Sequence, residues 1–531
     1  MKCYLIKHSF KIMRAISFSF HCNNDLFIFL KIYIKTRGKI MDYDIIYIGS
    51  GNAAWQGGRF LRKKGLKVLI IEEGLYGGTC ANRGCNSKAI LDAPYEIKAL
   101  TDNFEGVGKS GDFEVDWPSL MKFKRKRIAG MSVFLDGKFD EYDLDVAHGK
   151  GIIIDEHTVQ VGEKQFTTDK IVICTGLKPI IPDIKGSQYL HDSNDFLDIE
   201  ELPKHAIIIG AGFVGMEFAS ILAEAGLTAD IIIRGNMALK FFHQPHVQRV
   251  IQILKEKNIR FHFNESVEEI INNIEIDNPE AKVLNVTSAQ NSDKNLRDPE
   301  AKIDNKAYED GFTVKCESGL TLTGDYVISA IGRTANVEDI GLENVGLSYT
   351  KQGIKVNGHL QTEVPNIYAS GDVADTGIAK LVTVAIHHSK YLAKELLGEA
   401  DEITYPAIPA VAYTIPRIAT VGVPAYVADK SDEYDVHTIR YGNSYSLILK
   451  NDLTAEAKVI VDKNLQIVGA EIYAADAENV ANMFAFIINK KITLEELDYM
   501  IYAFPSSSSV CLYKLHNIHY DLQKHDLNLK K

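Results

Sequence analysis

Two thiols in a glycine-rich setting are the residues best suited to chemistry. In GLYGGTCANRGCNSKAIL, residues 74–91, Cys80 and Cys85 stand with four residues between them. Such a pair is open to three uses: metal ligation, a structural disulfide, or reversible redox chemistry. The stretch itself does not choose among them.

The elements that would position the pair are legible on either side. Upstream, YDIIYIGSGNAAWQGGRFLRKKGLKVLIIEEG begins at residue 43. It runs from a β-rich segment into Gly49-x-Gly51-x-x-Ala54, then a helical segment, then a second strand closed by Glu72. This is the dinucleotide-binding fingerprint in its required context. Gly49 permits the tight turn, Gly51 lets the backbone approach a pyrophosphate at the helix N-terminus, and Glu72 is placed to accept a ribose hydroxyl. The pattern repeats in HAIIIGAGFVGMEFASILAEAGLTADIIIRGN, with Gly210, Gly212 and Gly215 after another apolar strand. Two such units imply two bound nucleotides. Further buried strands ending in turns are expected at IVICTGLKP, with Thr175 and Gly176, at YVISAIGRTAN, with Gly332, and at NIYASGDVAD, with Asp372. Beyond about residue 400, alternating strands and one helix predict a separate α+β domain.

Composition excludes other classes. A net charge of −11, with 46% hydrophobic and 24% charged residues, describes a globular protein and disfavours a nucleic-acid binder. The seven cysteines, at 3, 22, 80, 85, 174, 316 and 511, are odd in number and irregular in spacing. A reducing, cytoplasmic setting with one special pair fits that better than a secreted disulfide framework. Cys174 and Cys316 sit in apolar strand patterns and read as core residues. The first forty residues hold eight Lys/Arg and one acid without a period. They read as a basic targeting extension or as an upstream start before Met41, and their longest apolar run is too short to span a bilayer. No membrane partner is expected. The stretch from about 273 to 311, rich in Asn and Asp and containing PEAK twice, reads as a polar surface insertion.

Taken in order, these motifs resemble the class I pyridine nucleotide-disulfide oxidoreductases, the family of glutathione reductase, dihydrolipoamide dehydrogenase and mercuric reductase. The resemblance covers roughly residues 42–510. It implies an α/β fold with two Rossmann-like dinucleotide-binding domains and a C-terminal α+β dimerisation domain, hence a homodimer. The implied boundaries are a basic extension over 1–40, an FAD domain at 41–190 and 322–396, an NAD(P) domain at 191–321, a dimerisation domain at 397–512, and a polar tail at 513–531. FAD would sit on the first unit, with Gly78, Thr79 and Lys88 beside it and Asp372 on its ribityl chain. The segment KLVTVAIHHS would place a helix N-terminus near the flavin, with His387 and His388 close by. Cys85 would receive electrons from the flavin while Cys80 attacks the acceptor, and Glu217 would pair with Lys88.

With that resemblance the redox reading of the cysteines leads. Zinc would need further Cys or His ligands at ligand spacing, and none stands near, so no metal site is expected. Five helical steps give a rise of about 7.5 Å, whereas disulfide-bonded Cα atoms lie about 4.4–6.8 Å apart. If the two thiols pair, the backbone between them must break from a regular helix, and Gly84 offers the freedom. For the nicotinamide, the second unit's second strand ends at Arg234, followed by Lys240, where an NADH enzyme would carry an acid. A guanidinium suits the 2′-phosphate of NADPH, although Gly215 is the residue more typical of NADH binding.

One part of the family pattern is missing. Its members end in a His-Pro motif followed by a Glu, which shuttles a proton to the leaving thiol across the dimer. Here the stretch is IYAFPSSSSVC, with Phe504 and Ser509 at those positions. His516 is the nearest histidine. Three readings follow: a disulfide reductase whose proton comes from Tyr499, Tyr502 or water; a reductase of a metal ion, quinone or electrophile, with Cys511 either a second thiol or an ordinary tail cysteine; or a flavin-bound interaction module without catalysis.

Overall fold

The computed structural model describes residues 41–273, 311–444 and 451–529. The basic stretch 1–40 and nearly all of the Asn/Asp-rich insertion, with both PEAK copies, lie outside them. The chain divides into two compact units. One comprises the residues up to Gly78, Ser132–Gly176 and Ala335–Ile403; the other comprises Thr79–Met131, Leu177–Thr334 and Thr404 onwards.

The first unit is built on a seven-stranded sheet. Tyr43–Ile48 is its central strand, parallel to Val68–Glu72 on one side and Lys164–Ile173 on the other. Asp145–His148 extends one edge, and Ile367–Ala369 pairs in parallel with Lys164–Ile173. Ile45, Ile46 and Tyr47 are buried, as expected of a strand covered on both faces. Helix Asn52–Lys63 follows the first strand directly, and helix Val382–Glu395 packs along it. Their approach is close: Gly57 donates its N–H to Ser389 Oγ at 2.8 Å, and a Cβ at Gly57 would lie 2.3 Å from the Ser389 carbonyl oxygen.

The second unit contains a four-stranded parallel sheet in the order Ile259–Phe263, Thr228–Ile233, His205–Ile209, Tyr326–Ser329. Helix Phe213–Glu224 follows its strand His205–Ile209 and is almost wholly apolar and buried. The same unit holds a five-stranded antiparallel sheet from Ala410 to Ala474, covered by helix Ala477–Lys490. Strand–turn–helix–strand twice, then an antiparallel α+β section, is the architecture read from the sequence. Helix Ser507–Leu529 continues through the segment read as a polar tail. No helix among the described residues is long and apolar enough to cross a membrane.

Candidate redox-active site

Cys80 lies in helix Gly78–Arg83 and Cys85 opens helix Cys85–Asp102. The break between the helices is at Gly84, where a Cβ would lie 3.0 Å from the Thr79 carbonyl oxygen. The chain is therefore not one regular helix across the pair, and the close turn brings the two sulfurs together. No disulfide joins them in the structure, and Cys85 is the more exposed of the two. A hydrogen bond from Cys80 is the main cause that draws the Cys85 thiol down to about 7; burial opposes it, and the Lys88 ammonium assists. A thiol in that range is substantially ionised near neutrality.

Lys88 is one turn along the same helix. Its Nζ lies 3.5 Å from Glu217 Oε2, with both side chains largely buried. Glu217, in the middle of helix Phe213–Glu224, accepts the Tyr413 backbone N–H at 2.9 Å through Oε1. Burial holds the Glu217 carboxyl above its ordinary range, and Lys88 and the Tyr413 N–H pull against that. The two side chains expected to pair thus form an ion pair.

The sequence reading missed the layer behind the pair. The ring of Tyr413 lies under Lys88 Nζ, 3.5 Å from its centroid, and the Arg417 guanidinium is 5.0 Å from the same ring. Arg417 binds Glu96, Glu478 (2.7 Å) and, more distantly, Asp92 (3.8 Å). The signal in sequence was the helix spacing of Cys85, Lys88, Asp92 and Glu96, which puts four reactive or charged groups on one stripe.

In the first unit the residues assigned to FAD surround a bare backbone cradle. Gly49 has φ +107°, and a Cβ there would lie 2.4 Å from the Cys174 carbonyl oxygen. Gly51 and Gly78 face each other, so that a Cβ on Gly78 would reach the Gly51 Cα at 3.1 Å. Gly51 caps helix Asn52–Lys63 with no side chain on its N–H groups and no acid in the first turn. Buried Ala54 keeps the helix close to the sheet. Thr175 Oγ1 is buried without a hydrogen-bond partner among the described residues, next to Gly176 at φ +68°. Free N–H groups, glycine walls and an orphaned hydroxyl fit a pyrophosphate and its attached groups. Glu72 stands at the strand end as expected, already accepting Ser50 N (3.0 Å), Ser50 Oγ (2.6 Å) and Gly74 N (2.9 Å). A carboxylate has capacity beyond three donors, and Ser50 fixes its orientation. Asp372 lies in the short turn Gly371–Val373, where Gly371 is pressed against Ala53 and Lys380 Nζ donates to the Asp372 carbonyl at 2.6 Å. Buried His388 accepts the Gly371 N–H through Nδ1 at 3.1 Å, and burial pushes its imidazole down to about 4, so it holds that turn as a neutral acceptor.

The second fingerprint is tighter. A Cβ on Gly215 would lie 2.1 Å from the Gly210 carbonyl oxygen, and one on Gly210 would lie 2.4 Å from that of Ala330. Glycine at 215 is thus demanded by the approach of turn to helix, whichever nicotinamide binds. Gly212 caps helix Phe213–Glu224 without a side-chain bond. Arg234 and Lys240 are exposed past the strand end, and Arg234 has no ion pair among the described residues. Gly332 has φ +125°, and its carbonyl accepts the Ile180 N–H at 3.1 Å. The first-unit set and this set, with Thr79, Cys80, Cys85, Lys88 and Glu217, belong to different units.

The sequence model of the family described as pyridine nucleotide-disulphide oxidoreductase matches residues 43–389. The chain belongs to that family. The family's dimerisation domain matches residues 408–512. The chain is 28% identical to a glutathione reductase of Nostoc sp. over 484 residues, covering 88% of this chain and 98% of that one. It is 26% identical to a dihydrolipoyl dehydrogenase of Geobacillus stearothermophilus, covering 89% and 95%. Among solved structures, the HOCl-induced flavoprotein disulfide reductase RclA from Escherichia coli has the same fold, with a TM-score of 0.75 at 24% identity over 89% of this chain and 99% of that one. The family's members are oxidoreductases that use FAD and NAD(P)H.

The structure also places Phe504 and Ser509, where the sequence reading expected the histidine and glutamate to be replaced. Phe504 is largely exposed, and Ser509 is fully buried, its Oγ donating to the Ser506 carbonyl at 2.8 Å. His516 is engaged with Asp498 at 2.7 Å. Cys511 is corrected from both earlier options: it lies in the core of the antiparallel-sheet section, where burial drives its thiol well above the ordinary range. Cys174 and Cys316 are buried as expected. No group of three or more metal-binding side chains occurs among the described residues.

Proposed function

We propose that this protein passes electrons from NADPH to the Cys80–Cys85 pair and on to a disulfide or related oxidised acceptor. The observation that carries the reading is the Cys85 thiol, drawn down by Cys80 and backed by Lys88 paired with Glu217. Bound FAD supplies the two-electron link between the nicotinamide and the cysteines. The first unit's part would be to hold it: Gly51 and the helix behind it would meet the pyrophosphate, Glu72 would take a ribose hydroxyl, and Asp372 the ribityl chain. Arg234, exposed and without a carboxylate partner among the described residues, and Lys240 would receive the 2′-phosphate of NADPH, with NADH a weaker donor.

Cys80 takes the attacking role, as a thiolate, that the family pattern gives it, although Cys85 is the more exposed of the two in the structure. Cys85 then closes the Cys80–Cys85 disulfide and releases the reduced acceptor. Phe504 carries no proton and Ser509 is tied to Ser506, so the leaving thiol must be acidic enough to depart alone or draw its proton from water or from exposed Tyr499 or Tyr502. The same lack of an acid favours, as a second reading, an acceptor that needs no such proton, such as a quinone, metal ion or electrophile. Exposed Tyr499, Ile501 and Phe504 in the matched dimerisation domain support a homodimer.

Reductive titration of the FAD-loaded protein tests the core of this reading. The oxidised protein should take up twice the electrons of the Cys85→Ser variant, in which only the flavin is reducible. Equal uptake would remove the cysteine pair from the electron path, and an acceptor panel of disulfides, quinones and metal ions would then separate the two acceptor readings.

A further inference from the structure

Behind the redox thiol lies a buried carboxyl with too few partners. Asp92 is 3% exposed, and its Oδ1 has no hydrogen-bond partner among the described residues. Its other oxygen is 3.8 Å from Arg417, whose guanidinium is already engaged by Glu96 and by Glu478 at 2.7 Å. Three carboxylates compete for one arginine, and Asp92 holds the weakest claim. The groups facing it are Lys88 and Glu96 on its own helix, Glu217 on helix Phe213–Glu224, Tyr413 and Arg417 on the neighbouring segment, and Glu478 on helix Ala477–Lys490. Lys88 and Arg417 are the only cations in that set against Asp92, Glu96, Glu217 and Glu478.

We infer that Asp92 is a positioning residue for the Cys85 thiolate, its negative charge when ionised opposing the field that Lys88 exerts on the sulfur. The inference rests on the reading of Cys85 as the electron-accepting thiol. Burial first of all, with Glu217 and Glu96 adding to it, pushes the Asp92 carboxyl up to about 6, while Lys88 and Arg417 pull it down. Asp92 therefore changes charge just below the range in which Cys85 does. Proton binding at the one site then favours proton loss at the other, and the two ionisations are coupled. Seven residues of helix separate them, a rise of about 10.5 Å. At an effective dielectric of ~20, one charge at that distance moves the thiol's titration by about one pH unit.

Alkylation by iodoacetamide measures this without turnover. The reduced, FAD-loaded protein is labelled across pH, and trypsin cleavage after Arg83 puts Cys80 and Cys85 on separate peptides, so Cys85 is read alone. Asp92→Asn should lower the midpoint of Cys85 labelling by about one pH unit. Lys88→Met should raise it. An unmoved midpoint in Asp92→Asn, beside a raised one in Lys88→Met, overturns this inference and leaves the proposed function standing. A Cys85 that labels in the unaltered chain as an ordinary thiol defeats the proposed function instead. Should Asp92→Asn not fold, Asp92→Ser is labelled in its place, and an unmoved Cys85 midpoint there overturns the inference.

Discussion

Replacing Lys88 by Met tests the energetics of the site most directly. The variant removes the ammonium from Glu217 at 3.5 Å and from the face of Tyr413. Two unit charges at that distance attract by about 5 kcal/mol at an effective dielectric of ~20. Breaking a buried pair from one side costs ~3–5 kcal/mol, because the remaining charge is stranded. Glu217 keeps its bond to the Tyr413 N–H, which places the expected loss toward the lower half of that range. The carboxyl can also escape by taking a proton. Burial already raises its pKa in the intact protein, and without Lys88 the value climbs further. A group whose folded pKa lies above its unfolded value adds stability below the unfolded value and loses it as pH rises through the folded one. The deficit of Lys88→Met should therefore be larger at about pH 8 than at about pH 5. Thermal unfolding of the FAD-loaded protein at both pH values provides the assay, with a fall in midpoint of roughly 3–6 °C at the higher pH. Adding Glu217→Leu should recover most of the loss, since no charge is then stranded. A deficit that is the same at both pH values, or that Glu217→Leu deepens, would refute the reasoning.

Other sites give equally direct tests. Gly215→Ala puts a Cβ 2.1 Å from the Gly210 carbonyl, so it should cost ~1–3 kcal/mol and weaken nicotinamide binding; unchanged midpoint and KM would show that the turn yields freely. Arg234→Glu should reverse the order of catalytic efficiency between NADPH and NADH, and an unchanged order would leave the phosphate role of Arg234 without support. Glutathione disulfide should turn over slowly after fast reduction of the cysteine pair, as stopped-flow absorbance will reveal. Phe504→His, at an exposed position, should raise that turnover within the ~10²–10⁴-fold worth of general acid catalysis. Ser509→Glu should add to it only if the buried backbone around Ser506 opens, and efficient turnover by the unaltered protein would sink the argument.

Much of the protein was legible in the sequence because its signals are local. A glycine turn between a strand and a helix needs only a few consecutive residues, so both dinucleotide units and the Cys80–Gly84–Cys85 break were readable from spacing. The expectation that Phe504 and Ser509 replace a histidine and a glutamate came from the resemblance, position by position. The pairing of Lys88 with Glu217 came from family resemblance rather than from any period, since the two lie on helices far apart in the chain. What only the tertiary structure decided was the company those residues keep. Tyr413 and Arg417 belong to the antiparallel-sheet section, and nothing in YTIPR announces that it will lie under a lysine of a different helix. Asp92 reads as an ordinary helix acid until the packed helix faces leave it buried beside an arginine that two other carboxylates have taken. Cys511 likewise looked like a tail thiol until the last helix folded it into a core. Charge and burial depend on which distant surfaces meet, and a one-dimensional pattern records the surfaces but not their meeting.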